Sequence, residues 1–344
     1  MKTVRMIGLA LFAILLCVNF TSCSSNDDVE PDAPQKPKEY VVSLGFTGEI
    51  SVSESPLSRA SGNDLYGIQV YSCPNVDGAA TYTKYAYGLF DDTSLMKIKL
   101  FEGYKYMFRA TMIVDGKDKI DRYSGKDGEN YEEPFVDAIG GYTTKSNDFN
   151  YSTEEALVGF NCGITSSSTC LKIGGTYTRP NTDRYYGEIS DYVPIKNGNL
   201  TIDMKRVVFG AKFIADTFTE GTLNIAMEGA PSTTITYIET NDEIYSQDIY
   251  TLSILLKAYT IEDYSETIPT TIIWTKADGV VVPLGTHNIT FKRNVLTTVT
   301  IKVADVTTEN GIGFELETTE MGTEDITIEN GEIVDTNVTP ETGQ

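Results

Sequence analysis

Histidine is almost missing from this chain: His287 is the one imidazole in 344 residues. A Ser-His-Asp or Cys-His site would have to be built on it, and no nucleophile-elbow sequence accompanies it. A zinc centre would lack most of its ordinary ligands. Tryptophan is as rare, and Trp274 sits inside the apolar run TTIIWTK, which reads as core. Positive charge is scarce too, with 27 Lys and Arg against 49 Asp and Glu. That balance disfavours nucleic acid and anionic membrane surfaces as partners. Helical periodicity is sparse, and no repeat of about 20–50 residues appears, which argues against propellers and solenoids. Neither catalysis, a cofactor nor a metal is expected.

What cysteine there is supplies no complete disulfide framework. Five are present: Cys17 and Cys23 lie near the N-terminus, and beyond them only Cys73, Cys162 and Cys170 remain, an odd number. Cys162 and Cys170 could bridge across CGITSSSTC, or all three could stay free thiols.

The first 22 residues read as a lipoprotein signal peptide. Lys2 and Arg5 precede an apolar run from Met6 to Phe20. At about 1.5 Å per residue that run spans roughly 22 Å, short of the ~30 Å hydrocarbon core. It fits a secretory signal better than a permanent span. The sequence FTSCSS then resembles a lipobox, in which the Cys23 thiol is acylated and becomes the new N-terminus. Several acyl chains, at about 0.8 kcal/mol per buried CH₂, would hold the protein on a membrane. Residue 24 is Ser, and Asn26-Asp27-Asp28 resembles the surface-export signal of Bacteroidales lipoproteins. Losing Lys2 and Arg5 with the leader leaves 25 basic against 49 acidic side chains, a net charge of −24.

Residues 23–39 form an acidic, proline-containing tether with almost no large apolar side chain. Folded sequence starts at Tyr40. In EYVVSLGFTGEISVS, Tyr40, Val42, Leu44, Phe46, Ile50 and Val52 alternate with polar residues, a long half-buried strand bent at Gly48. The same alternation returns at Tyr66–Val70, Met96–Leu100, Phe108–Val114, Leu200–Met204, Val207–Phe213, Leu223–Met227, Ile289–Phe291, Val299–Val303 and Ile312–Leu316. A parity change across Lys205-Arg206 predicts a bulge or bend. YSTEEALVGF, with Ser152 and Glu155 at capping-box spacing, predicts one short helix, and YTLSILLKAY is ambiguous. Short strands separated by Gly, Pro and Asn turns indicate an all-β fold of sandwiches. The length calls for two of them, at 40–198 and 199–344, joined near Pro194–Asn199.

Few constellations suggest a ligand. Asp115, Asp118 and Asp121 lie three apart, whereas a calcium loop needs alternating ligands followed by Gly, so a solvated hairpin is the better reading. Tyrosine is abundant, at 21, in clusters such as YTKYAYGLF and DRYYGEISDYVPI. Tyrosines stack on sugars, but sandwiches also use them at strand positions with a solvated hydroxyl. A glycan-binding surface lipoprotein of a nutrient-uptake system is therefore the alternative reading.

The order of features resembles the Bacteroidales fimbrillin-like lipoproteins, pilus subunits and their anchor relatives. The likeness rests on a lipobox-like cysteine, an acidic tether, a first strand, the Arg59-Ala60 pair before DLYGIQVYS, and LTIDMKRVVFGAKFIA with Lys205, Arg206, Val207, Phe209 and Ala211. The resemblance implies two tandem transthyretin-like Greek-key β-sandwich domains. It also implies cleavage between Arg59 and Ala60, release of the Tyr40 strand, and its replacement by a C-terminal strand of another subunit. Candidate donors are GIGFELE and EDITIENGEIV, whose Ile312, Phe314, Leu316, Ile326 and Ile328 alternate correctly. The simpler alternative is that these strands finish their own sheet and Arg59 is a loop residue. The expected partners are other fimbrial subunits, the outer membrane through the acyl chains on Cys23, and a host or glycan receptor. The expected location is the outer-membrane surface or a fimbrium.

Overall fold

The computed structural model describes residues 37–49, 63–125, 128–136, 141–157, 170–172, 175–239, 244–303, 313–320, 327–329 and 332–334. The strands run in chain order as β1 (Glu39–Gly48), β2 (Leu65–Pro74), β3 (Thr83–Phe90), β4 (Lys97–Phe101), β5 (Tyr104–Ile113) and β6 (Arg122–Gly125). Next come β7 (Gly128–Tyr131), β8 (Thr143–Thr144), β9 (Asn150–Tyr151), β10 (Cys170–Lys172), β11 (Gly175–Tyr177) and β12 (Arg184–Tyr192). After these are β13 (Asn199–Arg206), β14 (Val208–Asp216), β15 (Thr222–Met227), β16 (Thr233–Thr236), β17 (Ile244–Thr251) and β18 (Ser265–Thr275). The last are β19 (Val281–Lys292), β20 (Val295–Lys302), β21 (Gly313–Glu320), β22 (Thr327–Glu329) and β23 (Glu332–Val334). Among the described residues, two short α-helices, α1 (Gly116–Lys119) and α2 (Leu255–Thr260), interrupt them. The fold is all-β.

Alternation in the sequence becomes alternation in burial. β4 hides Ile98 and Leu100 while Lys97 and Lys99 face solvent, and β13 hides Leu200, Ile202 and Met204. An eight-stranded sheet in the order β4-β1-β13-β12-β5-β2-β3-β9 carries these strands. It folds over on itself, because Val42, Ile98 and Ile202 share one core with Ile68, Val70, Phe108 and Ala110 from the far strands. One side of this sandwich is continuous through the β12–β13 ladder at Tyr185↔Arg206 and Tyr186↔Lys205. The other side is closed by side chains: Tyr85 Oη donates to Lys99 O (2.6 Å), and Lys99 N donates to Tyr151 Oη (2.9 Å).

A second core follows. The sheets β17-β14-β20-β21-β22-β23 and β16-β15-β18-β19 enclose Phe209, Phe213, Val299 and Ile301 against Ile225, Ile272, Trp274 and Phe291. Trp274 is core, as its sequence setting suggests, and its Nε1 donates to Glu220 O (2.9 Å). A three-stranded sheet, β6-β7-β8, covers a smaller cluster of Leu65, Leu89, Ile113, Ile120, Tyr131 and Phe135.

Several sequence expectations shift. Pro194–Asn199 turns the chain from β12 into β13 within the first sheet, with Gly198 N donating to Ile195 O (3.1 Å). The passage between cores lies instead at Val207, which explains the parity change at Lys205-Arg206: Met204 faces the first core and Val207 the second. No helix forms over the described residues 151–157. Ser152 Oγ does accept from Glu154 N and Glu155 N, but the Glu155 carboxylate turns to Tyr87 Oη (2.8 Å) and Asn150 Nδ2 (3.1 Å). Leu157 N is held by Gln69 Oε1 (2.9 Å), so tertiary partners take the groups a helix would use. The ambiguous YTLSILLKAY divides between β17 and α2.

Asp91 ties the small sheet to β3. Its carboxylate binds Lys117 Nζ, Lys145 Nζ (2.7 Å) and Asn147 Nδ2 (2.7 Å). Burial alone would raise its pKa, but the two ammonium groups and the amide prevail and hold it well below the usual carboxylate range. A carboxyl whose folded pKa is depressed contributes stability that is present above the unfolded value of about 4 and fades as pH falls through the folded value. Asp91→Asn is expected to lose about 2 kcal/mol at pH 7 and to flatten the stability profile below about pH 4. Urea denaturation across pH checks both.

Candidate strand-exchange site

The first strand sits between two neighbours that the sequence places far away. β1 pairs antiparallel with β4, from Glu39↔Phe101 to Ser43↔Lys97, and parallel with β13, from Ser43↔Asn199 to Gly48↔Met204. Val42 and Leu44 are buried beside Met96, Ile98, Leu100, Leu200, Ile202 and Met204. Phe46 is half-buried and stacks on Tyr66, with centroids 5.6 Å apart and planes 8° from parallel. Val41 points outward, and Lys99 opposite it turns its backbone groups to the tyrosines, away from β1.

At Gly48, where the sequence suggests a bend, β1 ends; Ile50 and Val52, read as part of the same strand, lie outside the described residues. Gly48 has φ +83°, and a Cβ there would lie 2.7 Å from Met204 O and closer still to Asp203 Oδ1. The next residue, Glu49, accepts from Arg206 N (2.7 Å) and from Arg293 Nη1 through both carboxylate oxygens (2.9 Å each). Arg206 itself pairs with both oxygens of Asp183 (2.8 and 2.7 Å). Burial opposes the Arg206 charge, yet Asp183 more than offsets it and the pKa is raised. Lys205, and Arg293 beyond it, hold the Glu262 carboxyl below its ordinary value. Sequence reasoning found Gly48 as a bend and Arg206 as part of a motif. It missed Glu49 and Arg293, because a lone carboxylate and a guanidinium 244 positions apart leave no spacing to read.

The remaining candidates are dispersed. Cys23, Arg59, Ala60, Cys162, Ile312 and Ile326 lie outside the described residues. Phe314 and Leu316 stand on β21, opposite Ile301 and Val299 of β20, and Ile328 on β22 stands opposite Phe314. Cys170 opens β10, and Cys73 is a buried free thiol. His287 is half-buried on β19, and its Nε2 lies 3.1 Å from Leu284 O. Asp115 begins the turn into α1 at φ 51°, and Asp118 accepts from Asn63 Nδ2. Among the described residues, no three His, Cys, Asp or Glu are placed to hold a metal ion.

Two tyrosine pairs among the described residues meet edge to face, so neither presents coplanar rings. A groove of about 740 Å³ runs beside β4, lined by Tyr85, Lys99, Phe101, Phe149 and Tyr151 among others. Its two tyrosine rings meet edge to face at 87°, and both hydroxyls are committed to the backbone of Lys99. The exposed Tyr123 and Tyr142 are likewise at 88°.

Gly48→Ala is expected to cost about 2 kcal/mol, combining left-handed strain with the Met204 carbonyl contact. Gly103, at φ +87° with nothing within 4 Å of where a methyl group would stand, isolates the strain alone. Gly103→Ala should therefore cost less, about 1 kcal/mol. Chemical denaturation of the two variants makes the comparison.

No protein-family model matches the sequence, and no curated protein matches it significantly. Solved structures do match. One is the fimbrial anchor protein Mfa2 of Porphyromonas gingivalis, at 9% identity and TM-score 0.38, covering 85% of this chain and 100% of that one. A second is a candidate adhesin of Bacteroides thetaiotaomicron, at 9% identity and TM-score 0.37, covering 87% and 100%. A third is the tip fimbrial protein Mfa3 of Porphyromonas gingivalis, with a C-terminal truncation, at 10% identity and TM-score 0.31, covering 85% and 100%. These neighbours are adhesin-type and fimbrial proteins, not enzymes. With TM-scores below 0.5, the likeness is too loose to carry a role to this chain.

Proposed function

We propose that this chain is a surface-exposed outer-membrane lipoprotein, anchored by acyl chains on Cys23, that serves as a structural, anchor or adhesive subunit of a fimbrium assembled by β-strand exchange. The observation that carries this reading is the seat of β1. A strand at the start of the folded chain lies inside the sheet, between β4 and β13, with Val42 and Leu44 buried. Arg59-Ala60 follows it in sequence. Cleavage there would leave β1 joined to the rest of the protein only by non-covalent contacts. A strand of another subunit would then take over the same ladders and pockets by strand addition. Since donor and acceptor surfaces differ, the contact is heterologous and propagates. Each large apolar side chain fully buried in the groove contributes roughly 1.5–3 kcal/mol.

On the donor side, the reading uses Phe314 and Leu316 of β21 and Ile328 of β22. The β22–β23 hairpin closes the edge of its sheet, and β22 meets β21 at a single paired position, Phe314↔Ile328. For Ile328 such an edge separates at little cost in ladder hydrogen bonds, whereas release of Phe314 and Leu316 would give up the ladder from Val295↔Glu320 to Lys302↔Gly313. The two cores are read as tandem sandwich domains joined at Val207.

The test is a reversible lock. Val41 and Lys99 face each other at a position whose Lys99 backbone groups point away, the closer kind of antiparallel pair. The double variant Val41→Cys with Lys99→Cys should form a disulfide that pins β1 in place. Cells carrying it are expected to assemble no fimbriae under oxidising conditions and to recover assembly when reductant is added. Equal assembly in both states would rule out release of this strand.

A further inference from the structure

β1 ends on a contact that its ladders do not require. Glu49 receives the Arg206 amide and both of its oxygens meet Arg293 Nη1. Arg293 stands between β19 and β20 in the second core, and its side chain is only 4% exposed. Its other acceptors are Arg206 O (3.1 Å), Glu262 O (3.3 Å) and Glu262 Oε1 (3.1 Å). Glu262 is 71% exposed and also serves Lys205. The first strand therefore brings the carboxylate that meets this guanidinium from the groove side. A strand leaving the groove would take it away and leave a buried cation with fewer acceptors, a costly state.

We propose that Arg293 and the Arg206 amide form a carboxylate-reading site, which sets the register of whichever strand fills the groove. It selects a donor that carries Asp or Glu seven residues beyond its first buried apolar residue, as Glu49 follows Val42. The inference rests on the strand-exchange reading above. Another copy of this chain is not that donor. Running in the direction of β1, with two apolar residues at the Val42 and Leu44 places, its C-terminal candidates present Thr319, Met321 or Ile333 where Glu49 stands. The partner that enters is a different subunit with an acidic residue at that point. The C-terminal strands of this chain go to a groove that lacks the requirement.

The full chain, with a site-specific protease sequence built into residues 54–60, allows the strand to be cut free and challenged with labelled peptides. Peptides of residues 39–52, with Glu49 or with Glu49→Gln, are titrated and followed by fluorescence anisotropy. The Glu49 peptide is expected to bind about tenfold tighter or better. In an Arg293→Lys protein, which loses the two-oxygen geometry, the gap should shrink to about threefold or less. Peptides of residues 310–321 and 324–335 should bind no better than the Gln peptide, and should gain about fivefold on Thr319→Glu or Ile333→Glu. The peptide series on the unaltered groove decides the matter even if Arg293→Lys does not fold. Equal binding of the Glu49 and Gln peptides overturns the carboxylate-reading site and leaves strand exchange standing. If no peptide enters the groove, strand exchange falls and this inference falls with it.

Discussion

Neighbours that arrive late in the chain hold the first strand, and much of the first core depends on that delay. β1 is the link between β4 and β13, because among the described residues β4 pairs with no strand but β1. Taking β1 away would therefore strand β4 as well, unless something else held it. Tyrosine hydroxyls do so. Tyr85 and Tyr151 bind the backbone of Lys99, and Phe101 N donates to Tyr106 Oη (2.8 Å). Burial pushes the pKa of all three phenols up, so they stay protonated and able to hydrogen-bond at any ordinary pH. The groove thus has one wall built by backbone ladders and another that is also pinned by tyrosine side chains of β3, β5 and β9, through bonds that do not involve β1.

A second constraint gathers at the change of core. Within a few residues the chain passes Arg206, whose guanidinium grips Asp183, then Val207, whose amide donates to Arg184 O (2.9 Å) and whose carbonyl accepts from Leu252 N (3.0 Å). Asn294 N donates to Val208 O (2.7 Å), and Arg293 reaches back to Arg206 O. Strands β13 and β14 are therefore not two beads on a loose link. The junction is a set of backbone bonds reinforced by charge, and Glu49 brings the first strand into it. Occupancy of the groove and the join between cores are physically the same cluster.

The sequence disclosed the parts of this fold that obey a two-residue period. Val42 and Leu44, Ile98 and Leu100, or Leu200, Ile202 and Met204 could each be assigned to a buried face because a strand has only two faces. Gly48 was legible as a bend, since a glycine interrupting such a run marks a place where the backbone turns or closes on a neighbour. Where local signals met tertiary ones, the tertiary ones prevailed. Ser152 and Glu155 have the spacing of a helix start, yet Tyr87 and Gln69 take the bonds. The turn at Pro194–Asn199 looked like a boundary because loops between strands and loops between cores share a composition. The Glu49–Arg293 contact left no trace at all, because it joins two strand ends through one guanidinium with nothing periodic around it.

These features together bear on what a cut after β1 would do. Hydrolysis of one peptide bond past Glu49 removes none of the ladder bonds, none of the apolar burial and neither bond to Arg293. It changes only connectivity, so the strand's return becomes a second-order event in place of an internal one. The loss is one of effective concentration, which for a short flexible link is in the millimolar range. A cut strand would stay seated in dilute solution for as long as its contacts last, and release alone would expose Val42 and Leu44 pockets that water solvates poorly. Exchange, if it occurs as proposed, would therefore require a competitor already at hand, matching the apolar spacing and the terminal carboxylate, that enters as the old strand leaves. On the strand-exchange reading, the specificity of assembly would reside in the occupant's sequence, and cleavage would merely permit the competition.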